Sequence, residues 1–232
     1  MLGLEIYRVS SCRNISVSFT REPMVQQETA ASRIYEEVIQ MANPQHLEPL
    51  KQGTEAWNQW RSTHCMIRPD FSEANLAHID LRNANLNGAN FSRANLSGAN
   101  LQNTFLSQAN LGGANLSGAH LCRALLYKAN LGKADLSGAD LCQTNLSHAD
   151  LSWASMRNAN LSHANLSYAD LTGADLNKAC LTAANLMRAT LWEALCKGTI
   201  FRGAHFHGTI LRRADLSETD LKGVNLDGAA LY

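Results

Sequence analysis

The chain has no net charge to advertise: twenty Lys and Arg balance twenty Asp and Glu across 232 residues. The balance also holds locally, with seven of each sign before Pro69 and thirteen of each after it. A basic stripe for nucleic acid is therefore absent, and so is a strongly acidic body. Nor is there any run approaching the ~18 consecutive apolar residues that a membrane-spanning helix needs. Glu5, Arg8 and Arg13 interrupt the first twenty residues, which excludes the apolar core of a secretory signal. These absences predict a cytoplasmic protein without a membrane partner. The six Cys lie at irregular spacings with no CxxC pair, a pattern that favours reduced thiols over a disulfide or zinc framework.

A single periodicity dominates what is present. From Phe71 to Leu231 every fifth residue is large and buried in character, and the frame never slips. Of the thirty-three centres twenty-seven are Leu, the others being Phe71, Phe91, Met156, Cys196, Phe201 and Phe206. The residue two before each centre is small at nearly every repeat, Ala at twenty-five of thirty-two positions, and the residue just before is usually Asn or Asp. A helix repeats its face every 3.6 residues and a strand every 2, so a period of five fits neither. The chain must turn a corner every five residues, and four sides then close one coil of twenty. Coils stacked at about 4.8 Å make a rod of about eight coils, roughly 39 Å long. Leu points to the axis, Ala fills the crowded corner, and the Asn or Asp faces outward to bond turn amides.

The repeat beginning Ala74, Asn75, Leu76 resembles the pentapeptide-repeat family, A-[ND]-L-x-x, over roughly 70% of the chain, residues 69–232. The resemblance implies an all-β solenoid, a right-handed quadrilateral β-helix, and a bacterial source. Family members best known for DNA mimicry act on DNA gyrase, which requires a contiguous acidic face. Here Asp150 and Asp170 form a lone stacked pair on the first side, and Asp80, Asp140 and Asp220 on the third are interleaved with bases. That alternative is disfavoured, and nucleic acid is not an expected partner.

Residues 1–68 lack the period. Residues 1–40 read as a flexible segment with a possible short helix from about Thr29 to Met41, and Met41 has the look of a natural start. Over 41–68, Asn43 is an N-cap, Pro44 fits the first helical position, and Leu47, Leu50, Trp57 and Trp60 recur at helical spacing. This predicts one helix laying Leu50, Trp57 and Trp60 over the open first coil, because terminal repeats need a cap. At the other end Leu216, Leu221, Leu226, Leu231 and Tyr232 present an uncovered coil, a candidate surface for a homodimer.

Residues twenty apart stack on one side of the rod. Phe105 and Leu125 take the outward place normally held by Asn or Asp, with Tyr127, Tyr168 and Met187 on the same fourth side and Lys128 and Arg188 at its rim. Outward aromatics seldom cluster on a monomer, which makes this the candidate protein-contact patch. Cys122 and Cys142 share a column on the third side at about 4.8 Å, a candidate thiol pair and the basis for an alternative reading as a redox-responsive interaction protein. No metal or cofactor is expected, since parallel side chains in a flat ladder do not converge on a tetrahedron. A smooth rod offers no pocket with convergent acid, base and nucleophile. The chain therefore reads as a non-catalytic scaffold for an unidentified protein partner.

Overall fold

The computed structural model describes residues 43–231. The expected helix near Thr29 to Met41, the remainder of residues 1–40, and Tyr232 lie outside them. Two helices, α1 (Pro44–Lys51) and α2 (Thr54–Thr63), precede the repeat. Asn43 caps α1, its side-chain oxygen accepting from the Gln45 N–H at 3.0 Å, with Pro44 inside the start. The single helix expected here is divided. Gly53, at φ 107°, adopts a conformation that side-chain-bearing residues rarely reach, and the chain turns there before restarting.

From Asp70 to Ala230 the chain winds as a β-helix in which every bridge is parallel and joins residues twenty apart. The bonding repeats at each side. The Leu96 N–H donates to the Asn115 carbonyl of the next coil at 2.7 Å, and the Asn95 N–H to the Ala74 carbonyl of the previous one at 2.9 Å. Each corner closes with a bond such as Ala99 N–H to Leu96 carbonyl at 3.0 Å. The residue two after each centre sits at φ near +60°, whether or not it is Gly. Left-handed backbone costs a non-Gly residue about 1–2 kcal/mol, so the continuous ladder must offset that strain at every corner.

Outward Asn residues do two jobs. The Asn110 side-chain oxygen accepts from the Gly112 N–H at 3.2 Å, and its amide donates to Asn90 at 3.0 Å. Such ladders run up the sides and fix the register. Inside, central Leu and corner Ala are buried along one continuous core from Phe71 to Leu211. Thr stands in for Ala at Thr104, Thr144, Thr199 and Thr209, each hydroxyl donating to a backbone carbonyl. Cys196 occupies a core centre among Phe201 and Phe206, and burial pushes its thiol pKa up to about 12.

The two ends differ. At the first coil Trp57 and Leu50 are fully buried against the core, with Trp57 stacked on Trp60 at 5.1 Å and edge-on to Phe71 at 5.4 Å. Polar groups of the helical segment also engage the coil edge. Trp57 Nε1 donates to the Asn85 carbonyl at 2.8 Å, and the Asn58 side chain accepts from the Asn85 N–H at 2.8 Å. His46 Nδ1 accepts from the Asp70 N–H at 3.0 Å. At the last coil Leu216, Leu221 and Leu226 are half-buried and Leu231 is exposed. Among the described residues the N–H groups of those three Leu find no backbone acceptor.

Candidate protein-contact face

Backbone register builds the fourth side. Phe105 and Leu125 bridge directly, so two apolar side chains stack at a place most often held by Asn or Asp, and both are exposed. Two columns away, on the corner, the sequence places Tyr127 beside Lys128, then His148, Tyr168 and Arg188. Tyr127 meets His148 edge-on at 5.6 Å, and His148 stacks on Tyr168 at 4.8 Å with planes 5° apart. Cations frame this row of rings, as the quadrupole of a tyrosine face favours. Lys128 Nζ lies 5.2 Å from the Tyr127 ring. Arg188 lies 5.6 Å from the Tyr168 ring and donates to its hydroxyl at 3.2 Å. Met187 is exposed next to Arg188.

The structure thus brings Tyr127 and Tyr168 together through His148, a residue the sequence reading passed over. Its signal was present: His148 lies twenty before Tyr168 in the column that carries Lys128 and Arg188. Also unanticipated are Met66, 91% exposed, and the exposed Trp153 and Trp192 of the first side. Gly173 accommodates the Trp153 ring, because a Cβ there would come within 2.5 Å of it.

On the third side the expectation of reduced thiols is overturned. Cys122 and Cys142 are joined as a disulfide with Cα atoms 4.7 Å apart. The coil period places this pair in one column within bonding range, and what the spacing left open was the state of the two sulfurs. Cys65 is disulfide-bonded as well. The Asp140 carboxylate lies within 4.8 Å of both Cys122 and Cys142 sulfurs, a metal-like grouping, but sulfurs bonded to each other offer no thiolate to an ion. Cys180 and Cys196 are free. Burial raises the Cys180 pKa, but hydrogen bonds from Ser162 and Thr182 outweigh it and leave the thiol below its usual value.

The profile of the family described as Pentapeptide repeats matches in eight copies spanning residues 70–228. The chain belongs to the pentapeptide-repeat family, whose members are right-handed quadrilateral β-helices and in general non-catalytic. Among solved structures it is similar to HetL, a pentapeptide repeat protein involved in heterocyst differentiation regulation from the cyanobacterium Nostoc sp. strain PCC 7120. That pair shares 31% identity over 70% of this chain and 89% of HetL, with a TM-score of 0.43. A pentapeptide repeat protein from the Arabidopsis thaliana thylakoid lumen matches at 32% identity over 40% of this chain and 64% of its own, with a TM-score of 0.39. QnrB1, a plasmid-mediated fluoroquinolone resistance protein, matches at 20% identity over 70% and 84%, with a TM-score of 0.44. No curated protein matches significantly. No helix among the described residues is long and apolar enough to cross a membrane.

Proposed function

We propose that the protein is a non-catalytic interaction scaffold whose fourth side docks a protein partner. The observation that carries this reading is the outward row of Phe105, Leu125, Tyr127, His148, Tyr168 and Met187, the first two stacked at a place the repeat most often gives to Asn or Asp, whereas the exposed Leu195, Ile200 and Ile210 at that place lie singly on the other three sides. Exposed aromatics of this density are enriched at protein interfaces. Hydroxyls that follow the centres support the absence of catalysis. Those of Ser117, Ser147 and Ser162 donate to the outward Asn two residues earlier, at 2.7, 2.6 and 2.7 Å. That is turn chemistry and not activation by a base. DNA mimicry toward gyrase lacks its acidic face, since Asp150 and Asp170 form the only Asp–Asp bridge among the described residues.

A photo-crosslinking amino acid placed at Tyr127 in the native host should capture a partner, and the same probe at Ser117 on the second side should not. Equal capture from both sides would refute the reading. The Cys122–Cys142 disulfide favours a second, compatible reading as a redox-responsive interaction protein, because such a bond persists in an oxidising compartment and opens in a reducing one. Thiol counting on protein taken from its native compartment decides between the two states. That count also tests the cytoplasmic location.

A further inference from the structure

Charge is not spread evenly around the rod. The first three sides each alternate acids and bases, and all six ion pairs among the described residues lie on them, for example Arg93 with Glu73, Arg157 with Asp175 and Arg202 with Asp220. Along the fourth side the outward positions from Asn85 to His207 contain no carboxylate at all. Asp227, in the last coil, is its first; Asp150 and Asp170 stand beyond the corner on the first side. Among the described residues Lys128 and Arg188 have no carboxylate within ion-pair distance, and their cationic heads rest on tyrosine rings.

The cap end of the same side continues the pattern. A shallow recess of ≈ 440 Å³ is lined by Arg61, Met66, Ile67, Arg68, Asn87 and Ser107. Arg61 is 8% exposed, and among the described residues its guanidinium is held only by carbonyls, Nη1 donating to Ile67 at 2.6 Å and Nη2 to Asn87 at 3.4 Å. Its Nε has no partner among the described residues. A buried cation without a counter-charge is unusual and marks a place where an anion would be favourable. Arg68 is exposed on the recess wall, and no ion pair among the described residues uses it.

We propose, building on the contact-face reading above, that the partner element is an acidic, extended polypeptide segment that runs parallel to the rod axis along the fourth side. Its carboxylates meet the Arg61–Arg68 recess, Lys128 and Arg188, and its apolar side chains cover Met66, Phe105, Leu125 and the Tyr127–His148–Tyr168 row. The five coil steps from Asn87 to Met187 span about 24 Å, which about seven residues of extended chain cover. Alternation of acidic and apolar residues matches the alternation of cations and rings on the face. The stretch without carboxylates supplies specificity as well, because a basic segment lying along it would meet Lys128 and Arg188 with no acid of that side before Asp227.

The test uses full-length protein and two labelled eight-residue synthetic peptides, one alternating Glu with Leu and Tyr, the other carrying Lys in place of Glu. The acidic peptide should bind and the basic one should not. Binding should weaken about tenfold or more in a Lys128→Glu/Arg188→Glu variant, weaken again with Arg68→Glu, and fall as salt is raised. These side chains lie on the surface, so unchanged circular dichroism separates lost binding from lost fold. Equal binding of the two peptides, insensitivity to charge reversal, or no binding of the acidic peptide would overturn the proposal. Equal competition by a single-stranded oligonucleotide would overturn it too, in favour of polyanions at large. A Phe105→Ser/Tyr168→Ala variant separates the two levels of inference. If the basic peptide binds and this variant abolishes its binding, the contact face stands and the acidic partner falls; if crosslinking in the host is untouched by the variant, the face itself falls.

Discussion

The two ends of this rod solve the same problem differently. Both end in the flat edge of a coil, with inward Leu or Phe and a row of backbone groups that would otherwise pair with the next coil. At the first coil α1 and α2 cover Phe71 with Trp57 and Leu50 and supply polar partners for Asp70 and Asn85. At the last coil nothing among the described residues does so, and burial falls away from Leu211 to Leu231. The comparison shows how one-dimensional the stability is. Each coil is held by its neighbours, so the same side chain carries more weight where both faces of its coil are covered than where one is open.

One substitution made in two places separates the ends most strongly. Leu146→Asp puts an unpaired charge into the dry middle of the core and should cost about 4 kcal/mol or more, abolishing cooperative melting. Leu226→Asp, at the half-buried last coil, should cost about 1 kcal/mol or less in thermal melts. Similar losses at both positions would show that the last coil is covered. Leu226→Asp has a second readout. If two open ends pair about a two-fold axis, sedimentation at micromolar concentration should give a dimer that this change converts to monomer. A monomer for the unaltered protein would end that idea.

At the opposite end Trp57→Ala removes a fully buried ring and should cost about 3–5 kcal/mol in denaturant titrations. A loss under about 1 kcal/mol would mean that the helices rest on the coil without capping it. Reduction of Cys122–Cys142 should cost about 3 kcal/mol by the entropy of a loop the length of one coil, read as the difference between melts with and without reductant. Cys122→Ser should then melt the same in both. The smallest effect tests the strain built into the corners between the ends. Ala183 sits at φ 55° without the freedom of Gly. In thermal melts Ala183→Gly should therefore stabilise by about 0.5 kcal/mol once the added chain entropy is deducted.

Much of this was legible in the sequence because the repeat is strict. Leu76, Leu146 and Leu186 fall on the axis, since a period of five with a small residue at each corner leaves one geometry that buries every centre. The same period places Phe105 above Leu125 and Cys122 beside Cys142. It could not give the bond state of that cysteine pair, which depends on sulfur positions within bonding distance. Nor could it show the division between α1 and α2, because the apolar spacing of Leu50 and Trp57 continues across Gly53 and only the backbone at Gly53 breaks it.

By itself, then, the sequence determined the register, the inward and outward sets, and the columns, because these follow from chain periodicity alone. The contacts between columns came from the three-dimensional packing: His148 lying between Tyr127 and Tyr168, the Trp153 ring on Gly173, and Arg61 buried against Ile67 and Asn87 with no counter-charge among the described residues. Those depend on which rotamers neighbouring coils leave open and on how the helical segment folds back over the first coil, and neither is written in a period of five.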